Sequence, residues 1–171
     1  MTGPLLTTDR LTLRQPGNAD AAAMIGLFAD NRSRFYGGPK VEGLAWRDFA
    51  ARVGHWALRG FGMFAVVERA STETVGLVGP WQPSDFPEPE MSWLITAERH
   101  EGKGYATEAA EAVLAHVFTT HGWTSLPSFI DHANNASLAL AHRLGARADP
   151  ATPSPISGCA AWRHFSPGSA I

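Results

Sequence analysis

The sequence predicts a single domain, residues 1–171, of mixed α/β structure, with helices between strands and antiparallel strand pairs at both ends. Its 171 residues suit one domain, since domains average about 150 residues. Hydrophobic residues make up 44% and charged residues 18%, as in ordinary globular proteins. Segments with strand and helix patterns follow one another without a linker or an internal repeat. These three observations favour a single domain in which helices and strands alternate and the helices pack on a sheet.

The first third of the chain predicts one strand and two helices. Leu11–Arg14 alternates between apolar and polar residues, which is typical of a short strand. A helix follows, because four apolar residues fall on one side: Met24, Ile25, Leu27 and Phe28. Phe35–Pro39 contains two glycines and predicts a turn or a lid. A second helix ending at Gly60 is predicted by large apolar residues at helical spacing, Trp46, Phe49, Val53 and Trp56, of which Trp46 and Trp56 are expected in the core.

The middle of the chain predicts a hairpin and a third strand. Met63–Glu68 and Thr74–Gly79 read as strands joined by a short polar connection. Trp81–Pro89 contains three prolines, which exclude a central strand there. It leads to the apolar strand Met91–Ile95.

The last third contains the clearest helix. Its apolar stripe repeats at i, i+3, i+4 and i+7 and ends before Gly122: Ala106, Ala109, Ala110, Val113, Leu114, Val117 and Phe118. Strand Ser125–Ile130 contains Pro127, which lacks a ladder donor and indicates that one side of the strand is unpaired or splayed. A short helix over Ser137–Leu144 and a last strand, Ala160–Phe165, complete the domain.

Charge and composition exclude several classes of partner. Fourteen Lys+Arg against sixteen Asp+Glu give a net charge of −2, so we expect no nucleic-acid partner. The longest apolar run, Gly60–Val67, is too short to span a membrane, and no export signal is recognisable. Cys159 is the only cysteine, and the histidines lack ligand spacing. We therefore expect a cytoplasmic protein without disulfide, metal or membrane contact.

The loop Arg99–Thr107 lies between a predicted strand and the strongest predicted helix. Glycines at 102 and 104 would let an anion such as a pyrophosphate approach the free N–H groups at the helix start. An ordinary tight turn would need the same glycines. Two other phosphate motifs fail on spacing, because Ala97 stands where a P-loop needs glycine and Thr107 where a dinucleotide fingerprint needs glycine or alanine.

Three segments carry a resemblance to a known family. Arg99-x-x-Gly102-x-Gly104, followed by Tyr105–Ala109, resembles the acetyl-CoA loop of the GNAT N-acetyltransferase superfamily. Thr8–Arg14 resembles the opening strand of the branch that contains ribosomal-protein N-terminal acetyltransferases, and Asn134-x-x-Ser137 its second cofactor segment. The resemblance implies a GNAT-like fold: a mixed, mostly antiparallel sheet of about six to seven strands, helices on both faces and a splay between the two central strands.

The resemblance also implies site residues. Cofactor contacts carry over to Leu94, Ile95, Arg99, Gly102, Lys103, Gly104, Tyr105, Ala106 and Asn134. Glu90 becomes the candidate base, and Ser137 the candidate acid or thiol-orienting group, with acetyl-CoA as co-substrate. Alternatives stay open: Glu90 as a solvated acid at the strand entry, and Ser137 or Asn134 as a helix cap. Many relatives place a tyrosine where this chain has Ala141, so the acid is not assigned by the motif.

The predicted acceptor side combines the acids Asp85, Glu88 and Glu90 with aromatics such as Trp81 and Phe86. We expect it to be lined by Tyr36, Trp81, Asp85, Phe86 and Trp93. Such a mouth favours a cationic primary amine, either a peptide or protein N-terminus or a small amine. The predicted function is acetyl transfer from acetyl-CoA directly to that amine. A non-catalytic CoA-binding or interaction module and an unrelated nucleotide-phosphate binder remain alternatives, and the sequence leaves a homodimer open.

Overall fold

A computed structural model describes residues 3–169, which form eight strands and four α-helices. The strands are β1 (Leu6–Thr7), β2 (Leu11–Arg14), β3 (Phe64–Glu68), β4 (Thr74–Trp81), β5 (Glu90–Ile95), β6 (Ser125–Asp131), β7 (Arg147–Ala148) and β8 (Cys159–Phe165). The α-helices are α1 (Ala21–Ala29), α2 (Glu42–Arg59), α3 (Tyr105–Thr120) and α4 (Asn135–Arg143). A 3₁₀ helix, Asn31–Tyr36, connects α1 to α2.

The strands form two antiparallel sheets that meet without a common ladder. One sheet has the order β1-β2-β3-β4-β5 and the other the order β6-β8-β7. At the contact between β5 and β6, the Ser128 hydroxyl donates to the Met91 carbonyl oxygen at 2.6 Å. The Phe129 N–H donates to the Glu90 carboxylate at 3.2 Å. Side chains therefore bridge the gap that main-chain pairing leaves open.

Pro127 explains part of this opening. Backbone N–H groups alternate in direction along a strand, so residues 127 and 129 present their nitrogens to the same side. Phe129 points its N–H at β5, and Pro127, two residues earlier, has no N–H to offer. The prediction that one side of this strand is splayed is confirmed.

Helices cover both faces of the larger sheet. Under α1 and α2 lies an apolar cluster that includes Phe28, Phe49 and Leu77. Under α3 and α4 lies a second cluster that includes Val113, Leu114 and Leu140. The mixed fold with helices on both faces and a central splay is thus confirmed. No helix among residues 3–169 is long and apolar enough to cross a bilayer.

The structure departs from the predicted elements in a few places. The strands β1 and β7 were not predicted, because two residues are too few for a periodic pattern. Trp46 was expected in the core, but its side chain is 56% exposed, since the buried face of α2 runs through Ala45, Phe49 and Trp56 instead. Phe35 and Tyr36 belong to the 3₁₀ helix, and the turn begins at Gly37, which has a φ of 78°.

Candidate active site

The loop that contains Gly102 and Gly104 leads into α3, and the N-terminus of this helix has no side-chain cap. Gly102 and Gly104 have φ values of 69° and 81°, a region that L-residues with side chains rarely adopt. Gly104 is the N-cap of α3, and no side chain caps the helix there. The N–H groups of the first turn therefore keep their capacity to bind an anion, and the helix dipole favours a negative charge at this position.

A cavity of about 930 Å³, which we call the glycine-loop cavity, lies in front of this helix start. Gly102, Lys103, Gly104, Tyr105 and Ala106 line it, as does Ile95 at the end of β5. With Asn134, which also lines it, the structure brings together seven of the nine residues predicted to contact the cofactor.

Two arginines that the motif did not indicate also line the glycine-loop cavity. Arg143, in the last turn of α4, donates to the Thr107 hydroxyl at 3.2 Å. Arg32 donates to the carbonyl oxygens of Ile95 and Thr96 at 3.1 and 3.3 Å, and it pairs with Glu101. Nothing in the local sequence marks Arg32, because it acts across the fold on the end of β5.

Arg99 lies elsewhere. It does not line the glycine-loop cavity, its side chain is 65% exposed, and it pairs with Glu73 at 3.2 Å. The first position of the motif therefore pairs with Glu73 at the surface and does not face the cavity.

A second cavity of about 290 Å³, which we call the β5-entry cleft, follows the start of β5. Glu90, the first residue of β5, lies on its wall and is 6% exposed. Burial raises the pKa of Glu90 from 4.5 to about 8, although the Phe129 N–H and the charge of Arg52 act to lower it. At neutral pH the carboxyl is therefore mostly protonated in the free protein, with a pKa suited to exchanging a proton near that pH.

The two cavities meet at four residues. These residues line both cavities: Tyr36, Trp93, Asn134 and Ser137. Asn134 is the N-cap of α4, and its side chain accepts a hydrogen bond from the Ser137 N–H at 3.1 Å. The Trp93 indole donates to the Ser137 hydroxyl oxygen at 3.1 Å. Asn134 is thus a helix cap, whereas Ser137 is not. The Ser137 hydroxyl is held where the two cavities meet, which we call the junction.

Tyr36 reaches the same junction from the 3₁₀ helix. Burial raises the pKa of its phenol above the ordinary value, while the nearby Ser137 and Asn134 side chains act in the opposite direction. The phenol therefore carries its proton at neutral pH and can donate it. The sequence indicated Tyr36 as a wall residue, but not its position beside Ser137.

The acidic mouth expected from the sequence is only partly present. Trp81, Phe86 and Leu94 line the β5-entry cleft, but Asp85 does not. Glu88 forms a two-point ion pair with Arg163, at 2.8 and 3.0 Å, and does not line the cleft either. The aromatic half of the prediction therefore agrees with the structure, and the carboxylates of Asp85 and Glu88 lie outside.

Two cavities thus join within an opened sheet, one in front of an uncapped helix start and one with a titratable carboxyl, and this arrangement is suited to a group-transfer enzyme. Comparison with known proteins gives the family. The model of the acetyltransferase (GNAT) domain matches residues 10–147. The chain belongs to the GNAT acetyltransferase family, and it is an acyltransferase by that membership.

Individual relatives agree with this assignment. The crystal structure of an acetyltransferase from Agrobacterium tumefaciens str. C58 superposes with a TM-score of 0.90 and 34% identity, covering 97% of this chain and 96% of that one. The uncharacterized N-acetyltransferase YoaA of Bacillus subtilis (strain 168) is 28% identical over 149 residues, 83% of this chain and 82% of the relative. The microcin C7 self-immunity acetyltransferase MccE, solved with acetyl-CoA and AMP, shares the fold at a TM-score of 0.69 and 13% identity, covering 93% of this chain and 94% of MccE.

Proposed function

We propose that this protein is an N-acetyltransferase that moves the acetyl group of acetyl-CoA directly to a primary amine. The observation that carries the proposal is the junction of the two cavities at Trp93 and Ser137, with a buried carboxyl on the acceptor side. A transfer without a covalent enzyme intermediate needs both substrates to meet at one point. The junction supplies that point.

The residues of the glycine-loop cavity fit a CoA carrier. Gly102 and Gly104 themselves add no side chain at the approach to α3, and Lys103 and Arg143 add positive charge at the rim. The first-turn N–H groups of α3 are suited to a pyrophosphate. Acetyl-CoA, when bound, supplies the thioester whose acetyl group is transferred.

Glu90 is the candidate base in this proposal. An amine attacks only in its neutral form, so a group near the acceptor must accept its proton. The carboxyl of Glu90 faces the β5-entry cleft, and its pKa of about 8 makes it a stronger base than an exposed glutamate. Only the ionised minority of Glu90 can take this proton, directly or through water, and the carboxyl then retains it because burial disfavours the charged form.

Ser137 and Tyr36 are the candidates for the opposite proton transfer, to the departing sulfur. The Ser137 hydroxyl is oriented by the Trp93 indole, which occupies its oxygen as an acceptor and leaves its hydrogen free to be donated. Tyr36 lies beside it and is protonated at neutral pH. We assign Ser137 to orienting the sulfur and Tyr36 to supplying the proton. Tyr36 would thus replace the tyrosine that many relatives carry at the position of Ala141.

Thiol release with acetyl-CoA and a panel of primary amines tests the proposal. Steady release that depends on the amine, together with an N-acetylated product detected by mass spectrometry, supports it. Binding of CoA without release would instead favour a non-catalytic CoA-binding or interaction module. A thermal-shift comparison of CoA with ATP and NAD separates both from a general nucleotide-phosphate binder, which would respond to all three.

A further inference from the structure

Arg52 is a buried cation that the proposed chemistry does not use. It lies on α2, lines the β5-entry cleft, and its side chain is only 11% exposed. The guanidinium carbon lies 4.8 Å from the ring centres of both Phe28 and Trp81. Two aromatic rings therefore hold the planar group in a fixed orientation at the wall of the cleft.

The hydrogen-bond capacity of this guanidinium is largely unused. Nη1 donates to the Asp48 carbonyl oxygen at 2.9 Å. Nε is buried and has no hydrogen-bond partner among residues 3–169, and no acceptor for Nη2 is found there either. Buried polar groups are nearly always hydrogen-bonded, so an unpartnered donor of this kind needs an explanation.

Its charge is also poorly balanced. The nearest carboxylate oxygen, from Asp48, is 3.9 Å away, and the same oxygen contacts Lys40. Glu90 lies close enough for the two charges to interact, but its carboxyl is mostly protonated at neutral pH. Asp131 also lines the cleft, where its carboxylate accepts from the Ala133 N–H at 2.7 Å. Among residues 3–169, the one carboxylate within 4 Å of the guanidinium is thus shared with Lys40.

We propose that Arg52 binds a carboxylate of the acceptor, so that the substrate is a small amine that also carries a carboxylate, such as an apolar amino acid. The inference rests on the proposed function and identifies its substrate class. A guanidinium binds a carboxylate through its charge and through hydrogen bonds, for which Nη2 is free. Arg52 and Glu90 line the same cleft. An α-carboxylate bound by Arg52 would therefore place the adjacent amine of the substrate near Glu90.

The rest of the cleft selects for an apolar body. Its remaining wall is rich in large apolar side chains: Phe35, Phe86, Phe129 and Ile156. This acceptor differs from the cationic amine that the sequence suggested, because Asp85 and Glu88 lie outside the cleft, whereas the cation Arg52 lies inside it. L-Phenylalanine and L-methionine are therefore suitable probes, with their primary amides as neutral partners of the same shape.

Turnover of these pairs tests the inference. In the wild type we expect kcat/KM for the amino acids to exceed that for the amides by about 10- to 100-fold, the range for a hydrogen-bonded charge pair. Arg52→Gln should abolish the preference, and Arg52→Lys should retain part of it. Arg47→Gln, which removes an exposed arginine on the same helix, is the matched control and should retain all of it. Equal or better turnover of the amides by the wild type would overturn the inference, as would a neutral peptide amide as the best acceptor.

Binding separates this result from the proposed function. N-Acetyl-L-phenylalanine and its amide are titrated calorimetrically against wild type and Arg52→Gln in the presence of CoA. Tighter binding of the acid by the wild type alone supports the carboxylate site, even if no amine is acetylated. Equal binding of acid and amide by the wild type contradicts it, whether or not Arg52→Gln folds. Absence of thiol release from every amine would refute the proposed function instead.

Discussion

Glu90 should make the protein less stable as the pH rises, and Glu90→Gln should remove that effect. The folded-state pKa is about 8, against 4.5 for the ordinary carboxyl. Between these values the folded protein holds a proton that the unfolded chain has released. Stability therefore falls with rising pH in this window, because the folded state binds more protons than the unfolded state.

The size of the effect follows from the shift. A neutral glutamine has no such dependence, so the free energy of unfolding of Glu90→Gln, relative to wild type, should rise by about 1.4 kcal/mol per pH unit inside the window. Between pH 5 and pH 8 the sum is about 3.5 kcal/mol for a pKa that moves from 4.5 to about 8. The amide can still accept from the Phe129 N–H, so the local hydrogen bond is preserved.

Urea unfolding at pH 5, 6, 7 and 8 measures the difference. Glu98→Gln is the control, because it removes an exposed carboxylate outside the cleft. The relative stability of Glu90→Gln should climb across the series, whereas that of Glu98→Gln should stay nearly level. A constant difference between wild type and Glu90→Gln at all four pH values would refute the raised pKa, and with it the suitability of Glu90 as a base near neutral pH.

Three further predictions concern the loop, the junction and the second sheet. Gly104→Val should abolish the thermal shift caused by acetyl-CoA, whereas Gly122→Val, equally strained by a positive φ but far from the loop, should retain it. Tyr36→Phe should lower kcat by about 10- to 100-fold with unchanged CoA affinity in calorimetry, and an unchanged kcat would transfer the proton to solvent. His164 has a pKa lowered by burial to about 4, so acid protonates the unfolded chain first and lowers stability below pH 6.5. Between pH 7.5 and 5, His164→Gln should lose about 2 kcal/mol less of its free energy of unfolding than the wild type does, as measured by urea unfolding. An equal loss of stability in both proteins would contradict this.

The elements that the sequence predicted well are those with long patterns. The α3 stripe repeats over three turns, and the alternation of the main strands spans four residues or more, so local spacing determines them. Pro127 indicated the splay through the chemistry of one missing N–H group. The two-residue strands β1 and β7 depend on their partners alone, and no local pattern announces them.

The site was predictable where the backbone makes it and much less where side chains cross the fold. Gly102 and Gly104 act through their own φ values, so the motif was sufficient to place them in the cavity. Arg32 and Arg52 come from segments remote in sequence from β5, and their partners are decided by tertiary packing. The pairing of Glu88 with Arg163, 75 residues away, likewise removes a carboxylate that local reasoning assigned to the cleft.

The opening between β5 and β6 places two unpaired strand edges inside one molecule. Such edges normally invite another polypeptide to add as a strand, which leads to aggregation. Here several edge positions are already occupied or blocked: Pro127 has no N–H, Glu90 takes the Phe129 N–H, and Arg32 takes the carbonyl oxygens at the end of β5. The gap thereby stays accessible to a narrow ligand while it resists strand addition.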